Sequence, residues 1–243
     1  MWCRGVQRQS VRLRGARVKA RERVLARSKS SEQWLREHFT DPFVQRAAKE
    51  GYRSRASYKL LEIQQRDRLI RPGMQVLDVG AAPGGWTQVA APLIGKKGRL
   101  VAVDRLPMDP VAGATVICGD VYDDAVLAVC REHLPEGADL IMSDMAPNMS
   151  GIASVDQARA IDLAELALNM AQRWLKPGGS LLMKVFMGSG AEELRRALRR
   201  DFKKMVVRKP EASRARSPEQ YWLALDFQGL AQEGLDNGGK SSL

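Results

Sequence analysis

The chain has 243 residues, of which 44% are hydrophobic and 28% are charged. This length and apolar content suffice for one generous domain or two small ones with a buried core, which excludes a wholly disordered chain. No apolar run approaches the roughly 18 residues needed to span a bilayer, so we expect no membrane segment. The formal charge of +11 predicts a polyanionic partner, most simply a nucleic acid.

The basic residues fall into two clusters. Residues 1–40 hold eleven Lys or Arg against three Glu, and residues 195–216 hold ten Lys or Arg against Asp201 and Glu211. Residues 1–30 are predicted to form a flexible basic arm, which could be an RNA-binding extension, an organelle transit peptide or the product of a start codon assigned too early. The second cluster fits an anion-binding surface and ordinary solvated surface equally well.

The sulfur and imidazole side chains do not group together. Cys3, Cys118 and Cys130 form no C-x-x-C pair, and His38 and His133 are the only histidines. These spacings support neither a zinc site nor a disulfide framework, so we expect no bound metal. A reducing compartment suits such a chain, and we expect it to be cytoplasmic.

Start and stop signals predict three helices ahead of the first strand. Ser30 followed by Gln33 resembles a capping box, Asp41-Pro42 can cap and start a helix, and Pro72-Gly73 ends one. The predicted helices run from Ser30 to about His38, from Asp41 to Gly51, and from about Ser54 to Ile70.

After Gly73, short runs rich in Val, Ile and Leu alternate with helical stretches. The predicted strands are Gln75–Val79, Arg99–Val103, Ala114–Cys118, Asp139–Ser143, Ser180–Phe186, Met205–Arg208 and Tyr221–Phe227. The predicted helices are Gly85–Leu93, Asp123–Leu134, Val155–Leu175 and Ala191–Phe202. This alternation predicts an α/β domain over residues 31–228 with a mostly parallel sheet covered on both faces, followed by a flexible tail over residues 229–243.

Charged residues stand at or near the carboxyl ends of the predicted parallel strands. Ligands of open parallel sheets bind beyond these ends, at the edge called the rim below. Asp is common in turns, which would explain a single Asp at such a position, but this preference explains poorly why four strands each carry one. The residues in question are Asp78, Asp104, Asp120, Asp144 and Lys184.

The loop after the first predicted strand is rich in small residues, which let a ligand approach the backbone closely. Trp86 stands where a P-loop requires Lys, and Ala82 replaces the second glycine of the dinucleotide fingerprint, so a nucleoside triphosphate and NAD are disfavoured. Asp104 suits a ribose diol. A nucleoside cofactor without phosphates remains, and the acidic rim favours the cationic S-adenosylmethionine.

Five motifs together resemble the FtsJ-type, or RlmE-type, ribose methyltransferases. They are Asp78–Trp86 (DVGAAPGGW), Leu106–Pro110 (LPMDP), Ser143–Gly151 (SDMAPNMSG), Lys184–Phe186 (KVF) and Ser213–Ser217 (SRARS). The resemblance extends from about Ser28 to Asp226 and does not include the basic arm. It implies a Rossmann-like class I methyltransferase fold, a seven-stranded sheet with an antiparallel last strand, and helices on both faces.

The resemblance also implies the site residues. A catalytic tetrad is expected at Lys59, Asp144, Lys184 and Glu219, and S-adenosylmethionine contacts are expected at Gly84, Trp86, Asp104, Asp120 and Asp144. Lys184 lies in an apolar strand, where an unpaired ammonium group is costly. The residues leave two roles open for it, removal of the hydroxyl proton as general base and stabilisation of the developing alkoxide.

The implied substrate is a uridine 2′-hydroxyl in 23S ribosomal RNA, within the assembled 50S subunit, and the enzyme is expected to act as a monomer. The cations predicted to hold RNA phosphates are Arg53, Arg55, Lys59, Lys203, Lys204, Arg208, Lys209, Arg214 and Arg216. An amino-group methyltransferase is disfavoured because the segment Asp144–Pro147 lacks an aromatic residue. The remaining alternatives are a catalytically silent RNA-binding assembly factor and a ribose methyltransferase acting on another RNA.

Overall fold

The first described helices precede the sheet and follow from strong end signals. The computed structural model describes residues 40–214 and 216–229; the predicted basic arm, the helix from Ser30 and all of the tail beyond Gly229 lie outside these residues. Helix α1 (Pro42–Glu50) begins where the Asp41 carboxylate accepts a 2.9 Å hydrogen bond from the Phe43 amide, and ends at Gly51 in a left-handed conformation. Helix α2 (Ala56–Asp67) follows after a short turn.

Seven strands form one sheet in the order β3-β2-β1-β4-β5-β7-β6. The strands are β1 (Gln75–Val79), β2 (Arg99–Asp104), β3 (Thr115–Cys118), β4 (Ala138–Ser143), β5 (Leu175–Phe186), β6 (Phe202–Arg208) and β7 (Glu219–Phe227). Neighbours among β1 to β5 are parallel, whereas β7 is antiparallel to both β5 and β6. The predicted mostly parallel sheet with an antiparallel last strand is confirmed.

The remaining helices pack on the two faces of the sheet. They are α3 (Gly85–Ile94), α4 (Asp124–His133), α5 (Ala153–Trp174) and α6 (Ala191–Asp201). Buried residues of α4, α5 and α6 form one apolar core, and buried residues of α2 and α3 form a second core on the opposite face. Strand β7 supplies both cores, because Trp222 and Ala224 face the first while Tyr221 and Leu223 face the second.

The start of β5 differs from the prediction. The sequence predicts a helix through Leu175 and a strand from Ser180, but α5 ends at Trp174 and Leu175 already pairs with Ala138 of β4. The next paired residues are Leu140 and Ser180, so residues 176–179 bulge from the ladder. The glycines of this bulge resemble a loop in the sequence, although the strand begins before them.

The parallel strands bring their carboxyl ends to one edge of the sheet. Asp104 ends β2, Asp120 follows β3, Asp144 follows β4 and Lys184 lies two residues before the end of β5. The predicted alignment of charged residues at this rim is therefore confirmed. No helix within residues 40–214 and 216–229 combines the length and apolar character needed to cross a membrane.

Candidate active site

Two buried ion pairs face each other at the rim. Lys59 of α2 reaches the Glu219 carboxylate at the start of β7, with 2.8 Å between Nζ and Oε1. Lys184 of β5 pairs with Asp144, with 2.7 Å between Nζ and Oδ1, and donates a second hydrogen bond of 2.9 Å to the Asp144 carbonyl oxygen. All four residues predicted as a tetrad thus come together, although Lys59 and Glu219 are separated by 160 positions in the chain.

Tyr221 connects the two ion pairs through its hydroxyl group. The sequence alone did not indicate this residue as part of the site. Its hydroxyl accepts a 2.9 Å hydrogen bond from Lys59 Nζ and donates a 2.5 Å hydrogen bond to Asp144 Oδ1. Tyr221 also lies directly opposite Lys184 in the β5–β7 ladder. The sequence predicts that the last strand begins at Tyr221, whereas β7 begins at Glu219. Alternation along a strand places the side chains of Glu219 and Tyr221 on the same face. This two-residue spacing was the signal that could have identified Tyr221.

Charge pairing governs the protonation of this buried network. Burial is the main cause that lowers the pKa of Lys59, and the charge of the neighbouring Lys184 lowers it further. The carboxylates of Asp144 and Glu219 raise this pKa but compensate only in part. For Asp144 and Glu219, burial acts to raise the pKa, but the two ammonium groups outweigh it and hold both pKa values below their usual range. Burial and the adjacent carboxylates raise the pKa of Tyr221 well above its ordinary value, so the phenol keeps its proton.

Each lysine retains one N–H that the described contacts do not use. An ammonium group has three hydrogens. Lys184 uses two on Asp144, and Lys59 uses two on Glu219 and Tyr221. The arrangement can therefore offer hydrogens from two cations to an oxygen placed at the rim.

The glycine-rich turn after β1 packs closely against the neighbouring loops. Gly80 and Gly84 have φ angles of 73° and 97°, in the left-handed region that favours glycine. A Cβ atom at Gly80 would lie 2.0 Å from Cγ of Met145, so only glycine permits the two loops to approach this closely. The Asp104 carboxylate fixes the turn by accepting a 2.9 Å hydrogen bond from the Ala82 amide.

Three of the acids predicted at the rim differ in their surroundings. Asp104 accepts from the Ala82 and Leu106 amides and is partly exposed, and Asp120 accepts from the Tyr122 amide. Asp78, by contrast, is 1% exposed and accepts a 2.6 Å hydrogen bond from the Thr87 hydroxyl behind the turn. Burial raises the pKa of Asp78 to about 7.

Trp86 is part of the hydrophobic core beneath the glycine turn. It is 2% exposed, its indole N–H donates a 2.9 Å hydrogen bond to the Ala56 carbonyl, and its ring lies 5.6 Å from the ring of Tyr221. These contacts place Trp86 between α2 and the sheet. The predicted contact of Trp86 with a cofactor stays a prediction.

Arg53 ties together the loops around the glycine turn through three of its five N–H donors. Its guanidinium donates to the carbonyl oxygens of Pro83, Asp109 and Pro110 at 3.2, 2.6 and 2.6 Å. A Cβ atom at Gly84 would lie 2.9 Å from Nη1 of Arg53, so this glycine makes room for the arginine. The prediction that Arg53 contacts RNA is not supported by the structure.

Other predicted phosphate contacts are likewise committed to the protein. Arg55 contacts the Asp41 carboxylate and the Ala212 carbonyl. Arg208 donates twice to Asp67, at 2.6 and 2.8 Å, and Lys209 donates to the Ser217 and Glu219 carbonyl oxygens. Backbone carbonyls and carboxylates compete directly with phosphate for these donors, a competition that the residue types alone do not reveal.

Lys203 and Lys204 lie at the other end of the sheet. Arg208 is opposite Tyr221 at the rim, whereas Lys204 is opposite Leu225, which places the two lysines roughly 15 Å from the rim along the strand. The prediction that they line the rim is wrong because β6 runs toward the rim and only its last residues reach it. Arg214 and Arg216 lie in the loop that joins β6 to β7 at the rim, and Nε of Arg214 lies 3.6 Å from Oδ2 of Asp41.

Comparison with known proteins identifies a family and several relatives. A family model described as FtsJ-like methyltransferase matches residues 52–227. The Ribosomal RNA large subunit methyltransferase E of Acidithiobacillus ferrooxidans is 88% identical over 219 residues, which cover 90% of this chain and 100% of the relative. The protein of the same name from Pseudomonas fluorescens is 57% identical over 209 residues, covering 86% of this chain and 100% of the relative.

A solved structure gives the same result for the fold. The crystal structure of a ribosomal RNA methyltransferase, described as putative, from Plasmodium falciparum superposes with a TM-score of 0.66 at 27% identity. It covers 73% of this chain and 100% of its own.

Proposed function

The chain belongs to the FtsJ-like methyltransferase family, and from that premise we propose that it transfers a methyl group from S-adenosylmethionine to a uridine ribose 2′-hydroxyl in 23S ribosomal RNA. The proposed setting is the assembled 50S subunit in the cytoplasm, with the enzyme acting as a monomer. The printed names of its relatives support ribosomal RNA of the large subunit as the substrate. The observation that carries the choice of ribose is the pair of lysines held at the rim by Asp144, Glu219 and Tyr221.

The donor set fits S-adenosylmethionine. Asp104 and Asp120 present carboxylate oxygens beside a glycine turn whose backbone is left-handed at Gly80 and Gly84, and this turn has no phosphate-binding lysine. Gly84, Asp104, Asp120 and Asp144 would surround the cofactor, with Trp86 supporting the turn from below. When bound, S-adenosylmethionine supplies a methyl group attached to a positively charged sulfonium sulfur. Carboxylates near the rim favour such a cation.

The lysines act on the ribose oxygen. A ribose hydroxyl is a poor nucleophile near neutral pH, so the site must favour its deprotonated form. The unused hydrogens of Lys184 and Lys59 can both point at this oxygen, and their charges stabilise it as negative charge develops. The hydroxyl proton passes to solvent as the methyl group is transferred, and the thioether S-adenosylhomocysteine is the leaving group. Asp144 and Glu219 fix the position of these ammonium groups, and the pairing makes burial of the four charges tolerable.

The enzyme must also select one ribose among the many in the RNA. Phosphate contacts from the loop holding Arg214 and Arg216 would provide affinity without sequence choice. We propose that the shape of the RNA loop in the assembled particle presents one hydroxyl to the lysines.

Lys184→Met and Lys176→Met form a matched pair for the test. Both lysines lie on β5 and pair with an aspartate, but Lys176 meets Asp139 at the end of the strand away from the rim. Lys184→Met should reduce kcat at least about 100-fold, the lower range for loss of one donor that stabilises developing negative charge. Its affinity for the cofactor should stay within twofold of wild type, and Lys176→Met should methylate normally.

The assay uses tritiated S-adenosylmethionine and large ribosomal subunits from cells lacking the activity, with the modified ribose mapped by mass spectrometry. Isothermal calorimetry measures cofactor binding. Binding of subunits without methyl incorporation by the wild type would indicate a silent assembly factor. Incorporation at another RNA would overturn the substrate, and normal turnover by Lys184→Met would overturn the proposed site.

A further inference from the structure

Three large apolar side chains are exposed at the rim next to the tetrad. Met149 and Ile152, in the loop that follows β4, are 66% and 59% exposed, and Met187, directly after β5, is 36% exposed. These residues are called the apolar rim patch below. Their loops follow Asp144 and Lys184 in the chain, so the patch borders the oxygen-binding side of the site.

The backbone that carries this patch is fixed by two adjacent residues at the start of α5. The Asp156 carboxylate accepts from the Ser150 amide at 2.7 Å and from the Gly151 amide at 3.0 Å. The Gln157 side chain donates to the Phe186 and Ser189 carbonyl oxygens at 3.2 and 3.1 Å. One turn of helix therefore anchors both loops, which brings them together and keeps their apolar side chains in solvent.

The patch lies on the substrate side of the rim. Strand β1 and the glycine turn separate β2 and β3 from β4 and β5 in the sheet order. The acids suited to adenosine stand after β2 and β3, whereas all three patch residues follow β4 or β5. The adenine of the cofactor is thus expected at the opposite side of the turn from Met149 and Met187.

We propose that the apolar rim patch binds the nucleobase of the target nucleotide after that base has left its stack. This inference rests on the proposed function and identifies where the substrate base lies. In a nucleotide the base is attached to C1′, the atom next to the C2′ that carries the reacting hydroxyl. With that hydroxyl at Lys184, the base must lie along the adjoining rim.

The chemistry of the patch suits the face of a base. Thioether sulfur makes favourable contacts with aromatic rings, and an exposed Met or Ile offers an apolar surface for a heterocycle that has lost its stacking partners. Stacking of this kind tolerates any base because every base has a π face. Sequence selection would then remain with the shape of the RNA, in keeping with the lack of hydrogen-bonding groups on these three side chains.

The test compares the triple variant Met149→Gln/Ile152→Thr/Met187→Gln with Val129→Thr/Val207→Thr. The control residues are 40% and 41% exposed and lie on α4 and β6, away from the patch. With unmethylated large ribosomal subunits, the patch variant should raise KM about 10-fold, while its Kd for S-adenosylmethionine and the control variant should stay within twofold of wild type. Ultraviolet cross-linking of wild type to these subunits should join RNA to peptides containing Met149 or Met187.

Values of kcat/KM for the triple variant within twofold of wild type would overturn the proposal, as would an equal loss of cofactor affinity. Cross-links that avoid both peptides would also overturn it. Cross-linking does not require turnover, so a wild-type protein that binds subunits through these peptides but transfers no methyl group would refute the proposed function alone.

Discussion

The phenol of Tyr221 donates a 2.5 Å hydrogen bond to Oδ1 of Asp144, the same oxygen that lies 2.7 Å from Lys184 Nζ. Because the Tyr221 oxygen also accepts from Lys59, a continuous hydrogen-bonded path connects Glu219 at one end with Lys184 at the other. Displacement of either lysine would therefore disturb the other. This path therefore positions the two ammonium groups as one unit.

Replacement of this bridge should affect the reaction more than the fold. In Tyr221→Phe the ring stays in the core, but Lys59 and Asp144 each lose a partner. Hydrogen bonds to charged groups are worth about 1.5–3 kcal/mol, so we expect kcat to fall about 10- to 100-fold with unchanged cofactor affinity. Tyr58→Phe, which removes a hydroxyl donating 2.9 Å to Glu50 outside the site, is the control. Equal kinetics in the two variants would contradict a positioning role for Tyr221.

Arg53 should control binding of the cofactor and not of RNA. Arg53→Gln removes the donors that tie the glycine turn at Pro83 to the loop at Asp109 and Pro110. We expect the Kd for S-adenosylmethionine to rise about 10-fold, the effect of roughly one such hydrogen bond. Arg46→Gln breaks an exposed pair with Glu50 and should leave this Kd unchanged. Calorimetry gives both values; a larger effect on RNA binding than on cofactor binding would restore the predicted phosphate contact.

Asp78 should give the protein a distinctive dependence of stability on pH. Its pKa is raised by burial from 3.8 to about 7. Between these values the folded state binds more protons than the unfolded state, so Asp78 stabilises the fold at pH 4 and this contribution is lost as pH rises through 7. The full change is roughly 2–4 kcal/mol.

Asp78→Asn should remove this decline while its amide oxygen still accepts a hydrogen bond from Thr87. Urea unfolding at pH 5 and pH 8 measures the difference in the free energy of unfolding. Asp162→Asn on the exposed face of α5 controls for the loss of one charge. An identical pH response in wild type and Asp78→Asn would show that another group causes the decline.

Alanine substitutions at Gly80 and Gly178 distinguish the cost of backbone strain from the cost of a steric conflict. Both have positive φ, at 73° and 80°, but a Cβ at Gly80 would meet Met145 whereas nothing lies within 4 Å of one at Gly178. Gly178→Ala should cost about 1–2 kcal/mol from the left-handed conformation alone. Gly80→Ala should cost more and also weaken cofactor binding, because Met145 must move. Denaturant midpoints and calorimetry measure the two effects, and equal losses in both variants would show that the loops adjust freely.

Local patterns in the sequence were sufficient for most of the architecture. Alternating apolar runs and helical stretches predicted the parallel sheet, and the bounds of β1 at Gln75–Val79 agree with the structure. The end signals at Asp41 and Gly51 likewise predicted α1. These features depend on neighbouring residues, whose preferences act over a few positions. The start of β5 could not be predicted in this way, since pairing of Leu175 with Ala138 is a long-range contact that local preferences do not encode.

The functional residues also include some that the sequence indicated and others that only the tertiary structure identified. The positions of Asp144 and Lys184 at strand ends placed these two residues at one rim. The full tetrad of Lys59, Asp144, Lys184 and Glu219 followed only from the family resemblance. Only the tertiary structure placed Tyr221 between the two ion pairs and turned Arg53 inward to the backbone carbonyls. Hydrogen-bond partners of buried groups are selected by three-dimensional proximity, and a donor that appears free in the sequence is committed once folding brings an acceptor within reach.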